Sequence, residues 1–153
     1  MMTSRLNPFA AGPDLLKPLV DLGTTIEATG LERSLMELVK IRASQINGCA
    51  ICLGMHTAEA RKAGETEERI YMLNAWRESK LYSPRERAAL AWTDALTLVA
   101  QTQAPDDVYE AMAAEFTGAE QVNLTLLIGV INSFNRVGVG FRLQPPTAVR
   151  QAA

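Results

Sequence analysis

Residues 47–56 read NGCAICLGMH and hold both cysteines of the chain, Cys49 and Cys52, and its only histidine, His56. Steps of three and four place positions 49, 52 and 56 along one face of a helix. Cys49 falls at or near that helix's N-cap, where unpaired N–H groups and the dipole stabilise a thiolate. Such surroundings bring a cysteine pKa from about 8.5 into a range of roughly 3.5–7.5. His56 lies one turn beyond Cys52, within reach of its proton or of a water that carries it. Two cysteines at i and i+3 in a first turn can also meet without refolding, which favours a dithiol that cycles to a disulfide.

Two other readings of the same residues stay open. A structural zinc site needs four ligands, and the motif offers Cys49, Cys52 and His56 with a carboxylate as a fourth. Small cysteines on an apolar helix can also be plain packing, although packing does not account for the lone histidine. A thioredoxin is excluded by context, because its dithiol follows a strand and no alternating run for a strand is visible here. The pair is not a structural staple either, since a bridge across so short a loop restricts the unfolded chain very little.

The elements that must position the motif read as an all-α fold of six or seven helices. A first helix over Asp14–Thr29 is patchy, interrupted by Pro18 and Gly23. Leu31, Leu35, Leu38, Val39, Arg42 and Ile46 then follow the spacing of one helix face, and Asn47-Gly48 ends that helix. The motif helix runs to Lys62 or Ala63, with Gly64 just past its end. A further helix spans Thr66 to about Arg77, with acidic residues in its first turn. Ser83, Pro84 and Glu86 form a capping box with a favoured proline, opening the helix ERAALAWTDALTLVAQT. Pro105 stands as first residue of a helix reaching about Phe116. Thr117 and Glu120 form a second capping box, before an apolar helix at 122–141 expected to be buried on most sides.

The stretch MELVKIRASQINGCAICLGMHTAEARKAGE resembles the alkylhydroperoxidase AhpD-like group within the carboxymuconolactone decarboxylase family. That group's signature is a glutamate twelve residues before a CxxC and a histidine four residues after its second cysteine. Glu37, Cys49, Cys52 and His56 fill those positions, and ERAALAWTDALT and INSFNRVGVGF extend the likeness over roughly residues 5–143. The resemblance implies that Cys52 is the peroxidatic thiol, that Cys49 resolves its sulfenic acid, and that Glu37 and His56 relay the proton. Helix-dipole reasoning alone would activate Cys49 instead; the position of His56 sides with Cys52. On spacing alone, Glu37 reads as a solvated residue with Lys40 and Arg33 as ordinary helix partners. One departure stands at Ile51, where some members carry a further histidine between the cysteines.

The chain has 153 residues, 48% of them hydrophobic and 21% charged, with a formal charge of -2. Those values suit one soluble domain over 1–153, with a core at about 5–143 and a short tail at 144–153. Without a basic run, a nucleic-acid or anionic-membrane partner is not expected. The N-terminus, broken by Pro8, Pro13 and Pro18, reads as neither a secretory signal nor a membrane span, so a cytoplasmic protein with reduced cysteines is expected. Gly138 and Gly140 follow no strand and give no dinucleotide fingerprint; no cofactor and no resident metal are expected. Trp76, Trp92 and Phe134 read as core or subunit contacts, and Asn135-Arg136 as a polar pair at a helix end.

The reading is thus a thiol peroxidase or disulfide reductase acting on organic hydroperoxides or on an oxidised peroxiredoxin, with a thiol reductant restoring the dithiol. The apolar last helix and the family habit imply a homo-oligomer, with a hexamer favoured. The rivals are a lactone decarboxylase on the same fold and a non-enzymatic oligomer that senses redox state or binds zinc.

Overall fold

The computed structural model describes residues 3–145; of the expected tail, positions 146–153 lie outside the described residues. Nine α-helices follow one another: α1 (Pro8–Ala11), α2 (Pro13–Glu27), α3 (Arg33–Asn47), α4 (Ala50–Lys62), α5 (Glu67–Met72), α6 (Pro84–Thr97), α7 (Val99–Thr102), α8 (Asp106–Glu115) and α9 (Gly118–Gly140). A 3₁₀ turn at Leu73–Ala75 continues α5, and no strand occurs among the described residues. The fold is all-α, as expected. Seven helices exceed one turn; α1 and α7, at four residues each, are too short to leave a periodic signal.

Local rules set most boundaries. Ser83 with Glu86 and Thr117 with Glu120 make both reciprocal capping boxes, starting α6 and α9. Gly48 ends α3 in the left-handed region, at φ 65° and ψ 35°, which an L side chain enters only at a cost. Some boundaries differ from expectation. Pro18 stands on the exposed side of α2 and does not end it. The helix from Thr66 gives way to the 3₁₀ turn, whose tighter winding brings Leu73 and Trp76 into the same buried cluster. The helix after Ser83 breaks at Leu98 instead of running to Thr102. Pro105 is the N-cap of α8, with extended backbone, not its first helical residue.

α3 is the axis of the domain. Leu35, Met36 and Val39 face a cluster with Ala89, Trp92, Met112, Leu124 and Ile128 from α6, α8 and α9. Leu38 and Ile41 face a second cluster with Leu73, Trp76 and Leu90. Ala43 meets Cys49, Cys52 and Ile131 in a third. Every residue from Leu35 to Ile41 is buried, so the one-faced helix expected here is enclosed on all sides. By contrast, α9 keeps an open stripe at Val122, Leu126, Gly129 and Val139. It is long and apolar enough to cross a membrane, yet its Leu124, Leu127, Ile128 and Ile131 lie in the domain's core.

Side-chain amides lock α3 to α9. Asn47 Nδ2 donates to Asn132 Oδ1 and Asn135 Oδ1, both at 2.9 Å, and Asn135 Nδ2 donates to Ser44 Oγ at 3.0 Å. Asn132 Nδ2 continues to Thr97 Oγ1 on α6 at 3.1 Å. Asn135 is therefore a mid-helix buried tie, whereas Arg136 is exposed and bonds back to Asn132. Three residues beyond Asn135, Gly138 meets the start of α4. A Cβ there would stand 2.7 Å from Cys49 Sγ and 3.1 Å from Ile51 Cγ2.

Gly138→Ala is accordingly expected to destabilise the oxidised protein by about 1–3 kcal/mol, as overpacked cores do. Gly129 has open space around it, so Gly129→Ala should be neutral or stabilising by about 0.5–1 kcal/mol. Urea unfolding of the two variants checks the contrast.

Candidate active site

The turn between α3 and α4 delivers the cysteines. With Gly48 left-handed, the Cys49 amide reaches back to the Ser44 carbonyl at 3.0 Å, and Cys49 becomes the N-cap of α4. Cys52 follows in the first turn, Cα–Cα 5.4 Å away, and the two sulfurs are joined as a disulfide. The i, i+3 pair thus closes within one helical turn, as the spacing predicts. Cys49 is fully buried and Cys52 is 5% exposed.

The two sulfurs differ in what they face. An apolar cavity of about 360 Å³ opens beside α4, and Cys52, Met55, His56 and Ile51 form one of its walls. α2 contributes Val20, Gly23, Thr24 and Glu27; α9 contributes Leu127, Val130, Ile131, Phe134, Val137 and Gly138. Cys49 is not among the lining residues; it lies behind Ile51 and Gly138. Lys40 from α3, Phe9 from α1 and Leu143 from beyond α9 complete the lining. Those two segments are clasped where Arg5 N donates to the Phe141 carbonyl and Arg5 Nη1 to that of Gly140, both at 3.0 Å.

Glu37 and His56 are brought together. His56 Nδ1 and Glu37 Oε2 are 3.1 Å apart, and Lys40 Nζ donates to the other carboxylate oxygen, Oε1, at 3.1 Å. Glu37 is 5% exposed, so it is not the solvated residue its spacing describes. Lys40 is its partner, while Arg33 instead reaches Glu59 at 3.7 Å. Burial pushes the Glu37 carboxyl up, but the His56 hydrogen bond and the Lys40 charge outweigh it and hold the carboxyl below its usual range. An ionised Glu37 can only accept. The proton between the two residues therefore sits on Nδ1, and in the neutral ring the lone pair is then on Nε2.

The structure thus joins Cys49 to Cys52 and His56 to Glu37, and it gives Lys40, Gly138 and Ile51 parts at the site that the sequence alone does not assign. Lys40 neutralises Glu37 and lines the cavity with Glu27, which accepts from the same ammonium. Gly138 admits the Cys49 sulfur against α9. The place where some relatives carry a histidine is filled by Ile51, an apolar wall of the cavity. Lys40 could have been found as the residue one turn after Glu37; nothing in the sequence points to Gly138. Among the described residues, no group of three or more His, Cys, Asp or Glu side chains is arranged to hold a metal ion.

Comparison with known proteins agrees with this picture. Residues 13–95 match the carboxymuconolactone decarboxylase family. YdfG of Bacillus subtilis, an uncharacterized protein, is 41% identical over 138 residues, which make up 90% of this chain and 94% of YdfG. The alkyl hydroperoxide reductase AhpD of Hyphomonas neptunium is 49% identical over 41 residues, 27% of this chain and 23% of that protein. A solved structure from Agrobacterium tumefaciens, of a protein of unknown function put forward as the antioxidant defence protein AhpD, superimposes with a TM-score of 0.92 at 44% identity. The match covers 95% of this chain and 99% of that one. A family match across more than half the sequence, together with YdfG along nearly its whole length, settles the relationship: the chain belongs to the carboxymuconolactone decarboxylase family, in its AhpD-like group.

Proposed function

We propose that the protein is a thiol peroxidase that reduces organic hydroperoxides through the Cys49/Cys52 pair. The observation that carries this reading is the asymmetry of the two sulfurs. Cys52 opens with His56 onto an apolar cavity, while Cys49 is sealed behind it. The name of the Hyphomonas relative and the antioxidant role put forward for the Agrobacterium protein support the same chemistry.

In the reduced protein, His56 Nε2 takes the proton of Cys52, and Glu37 steadies the imidazolium through Nδ1. The Cys52 thiolate attacks the terminal oxygen of the hydroperoxide. An S–O bond forms, the O–O bond breaks, and the departing alkoxide takes the proton from His56 and leaves as an alcohol. Cys49 then attacks the Cys52 sulfenic acid, closing the disulfide and releasing water. The sum is ROOH plus two thiols giving ROH, water and one disulfide. A thiol reductant restores the pair by attacking Cys52, the sulfur that faces the cavity. The cavity's walls favour an apolar R group. The same enclosure disfavours the disulfide of a bulky protein such as an oxidised peroxiredoxin, which would have to bring its sulfur down to Cys52.

We place this activity in the cytoplasm, where a reducing pool can recharge the dithiol. We also propose that the protein works as a homo-oligomer, with a hexamer favoured. Exposed apolar side chains on α2 and α9, Leu15 at 85% and Val122 at 58%, are the surface such contacts would cover.

Cys49→Ser treated with cumene hydroperoxide is expected to accumulate a sulfenic acid on Cys52, trapped by dimedone and located by mass spectrometry. Cys52→Ser should stay unmodified. A trap found on Cys49 instead would reverse the assigned roles. Glu37→Gln is expected to slow Cys52 oxidation by about 10²–10⁴-fold, the worth of a positioned proton relay. Because the Glu37 carboxyl is held below 4.5, its ordinary value, the stability it contributes is complete above about pH 4.5 and disappears as pH falls through the folded value. Urea unfolding between pH 7 and pH 3 should show that acid-side loss in the native chain, reduced in Glu37→Gln.

A further inference from the structure

The relay contains a charge that the chemistry at sulfur does not itself use. Lys40 is 8% exposed at its side chain and sits between two carboxylates, Glu37 on its own helix and Glu27 on α2. Burying an ammonium is expensive, and here it touches the one atom of Glu37 that His56 does not. The other charged groups near the pair are accounted for. On α4, Glu59 is taken up by Lys62 at 2.8 Å and by Arg33 at 3.7 Å. α9 presents only uncharged residues to the cavity. The balance at Glu37 and His56 is therefore set by Lys40 against Glu27, with Cys52 as the remaining group that titrates there.

We propose that Lys40 is a positioning residue of the relay: by occupying Glu37 Oε1 it leaves Oε2 for His56 and keeps the Nε2 lone pair free to take the Cys52 proton at neutral pH. Glu37 Oε2 and His56 Nδ1, 3.1 Å apart, share one proton, so a further proton belongs to the pair. The next proton the unit accepts ends with a hydrogen on Nε2 in either arrangement. The ring becomes an imidazolium, or the Nδ1 proton moves to Glu37 and Nε2 keeps the new one. Both arrangements remove the base. A cation 3.1 Å from Glu37 opposes that protonation, whereas Glu27 alone would favour it. This role rests on the reading of His56 as the base for Cys52.

The test uses the fact that His56 is the only histidine, so ring ¹⁵N NMR reports its tautomer and titration without ambiguity. In the oxidised protein Cys52 has no thiol proton, and the pair titrates alone. The native chain is expected to show hydrogen on Nδ1 and none on Nε2 at neutral pH. In Lys40→Met the midpoint for protonating Nε2 should rise by about one pH unit, the usual effect of removing a neighbouring opposite charge from a carboxylate. Lys40→Arg, which keeps the charge, should stay near the native midpoint, and Glu27→Gln should move it the other way by less. An unchanged midpoint in Lys40→Met, or equal shifts in Lys40→Met and Lys40→Arg, would overturn the proposal. If Lys40→Met does not fold, Glu27→Gln decides: a downward shift supports the proposal and no shift overturns it. Thiol loss under cumene hydroperoxide, followed against pH in the reduced proteins, should have an acid limb that moves with the NMR midpoint. Shifts in the NMR midpoint with no reaction of the native protein at any pH would sink the peroxidase reading and leave the hold of Lys40 on the pair intact.

Discussion

A buried carboxylate has to be answered by its neighbours, and in this protein the answer to Glu37 organises three helices. Uncompensated, the charge would cost several kcal/mol in the interior. Its two oxygens are met from two directions, by Lys40 on α3 and by His56 on α4, and Lys40 is in turn met by Glu27 on α2. The residues that neutralise Glu37 are thereby fixed in place, and so is the imidazole that borders the same cavity as Cys52, one turn further along α4. In the proposed mechanism chemistry and stability share this interaction, because the bond that orients His56 also makes the carboxylate tolerable inside the domain.

The second constraint is space around the sulfurs. The amide ladder of Asn47, Asn132, Asn135 and Ser44 pins α9 against α3, and Gly138 then lets α9 come down onto Cys49. The consequence is unequal access. Cys49 is enclosed by α3, α9 and Ile51, whereas Cys52 borders a cavity whose far walls belong to α2 and α9. Two thiols three residues apart on one helix thus acquire different surroundings, and the roles proposed for them rest on that difference. The helix dipole singles out the cysteine nearest the N-terminus; the proposed roles rest instead on access to the cavity.

Much of this was legible in the sequence because it depends on neighbours along the chain. The capping boxes at Ser83 and Thr117, the left-handed Gly48 and the placement of Cys49 at an N-cap are all local. The family resemblance carried by Glu37, Cys49, Cys52 and His56 pointed to the candidate site, whereas Glu37 by helix spacing alone reads as solvated. What the sequence concealed depends on contacts between distant segments. Glu37 and Lys40 have the spacing of a surface ion pair; only the packing of α2, α4 and α9 around α3 buries them. Gly138 reads as an ordinary glycine until α9 is laid across α4. The break at Leu98 and the N-cap role of Pro105 are likewise not written in helix periodicity, which does not mark the first and cannot tell an N-cap from a first helical residue at the second.

The account stands or falls on whether the reduced protein converts a hydroperoxide by spending both thiols. The most direct measurement is a single turnover: fully reduced protein mixed with one equivalent of cumene hydroperoxide, with the alcohol and the free thiols quantified in the same quenched samples. One alcohol should form for every two thiols lost. Thiols that persist beside unconsumed hydroperoxide, or a disulfide that forms without the alcohol, would contradict it.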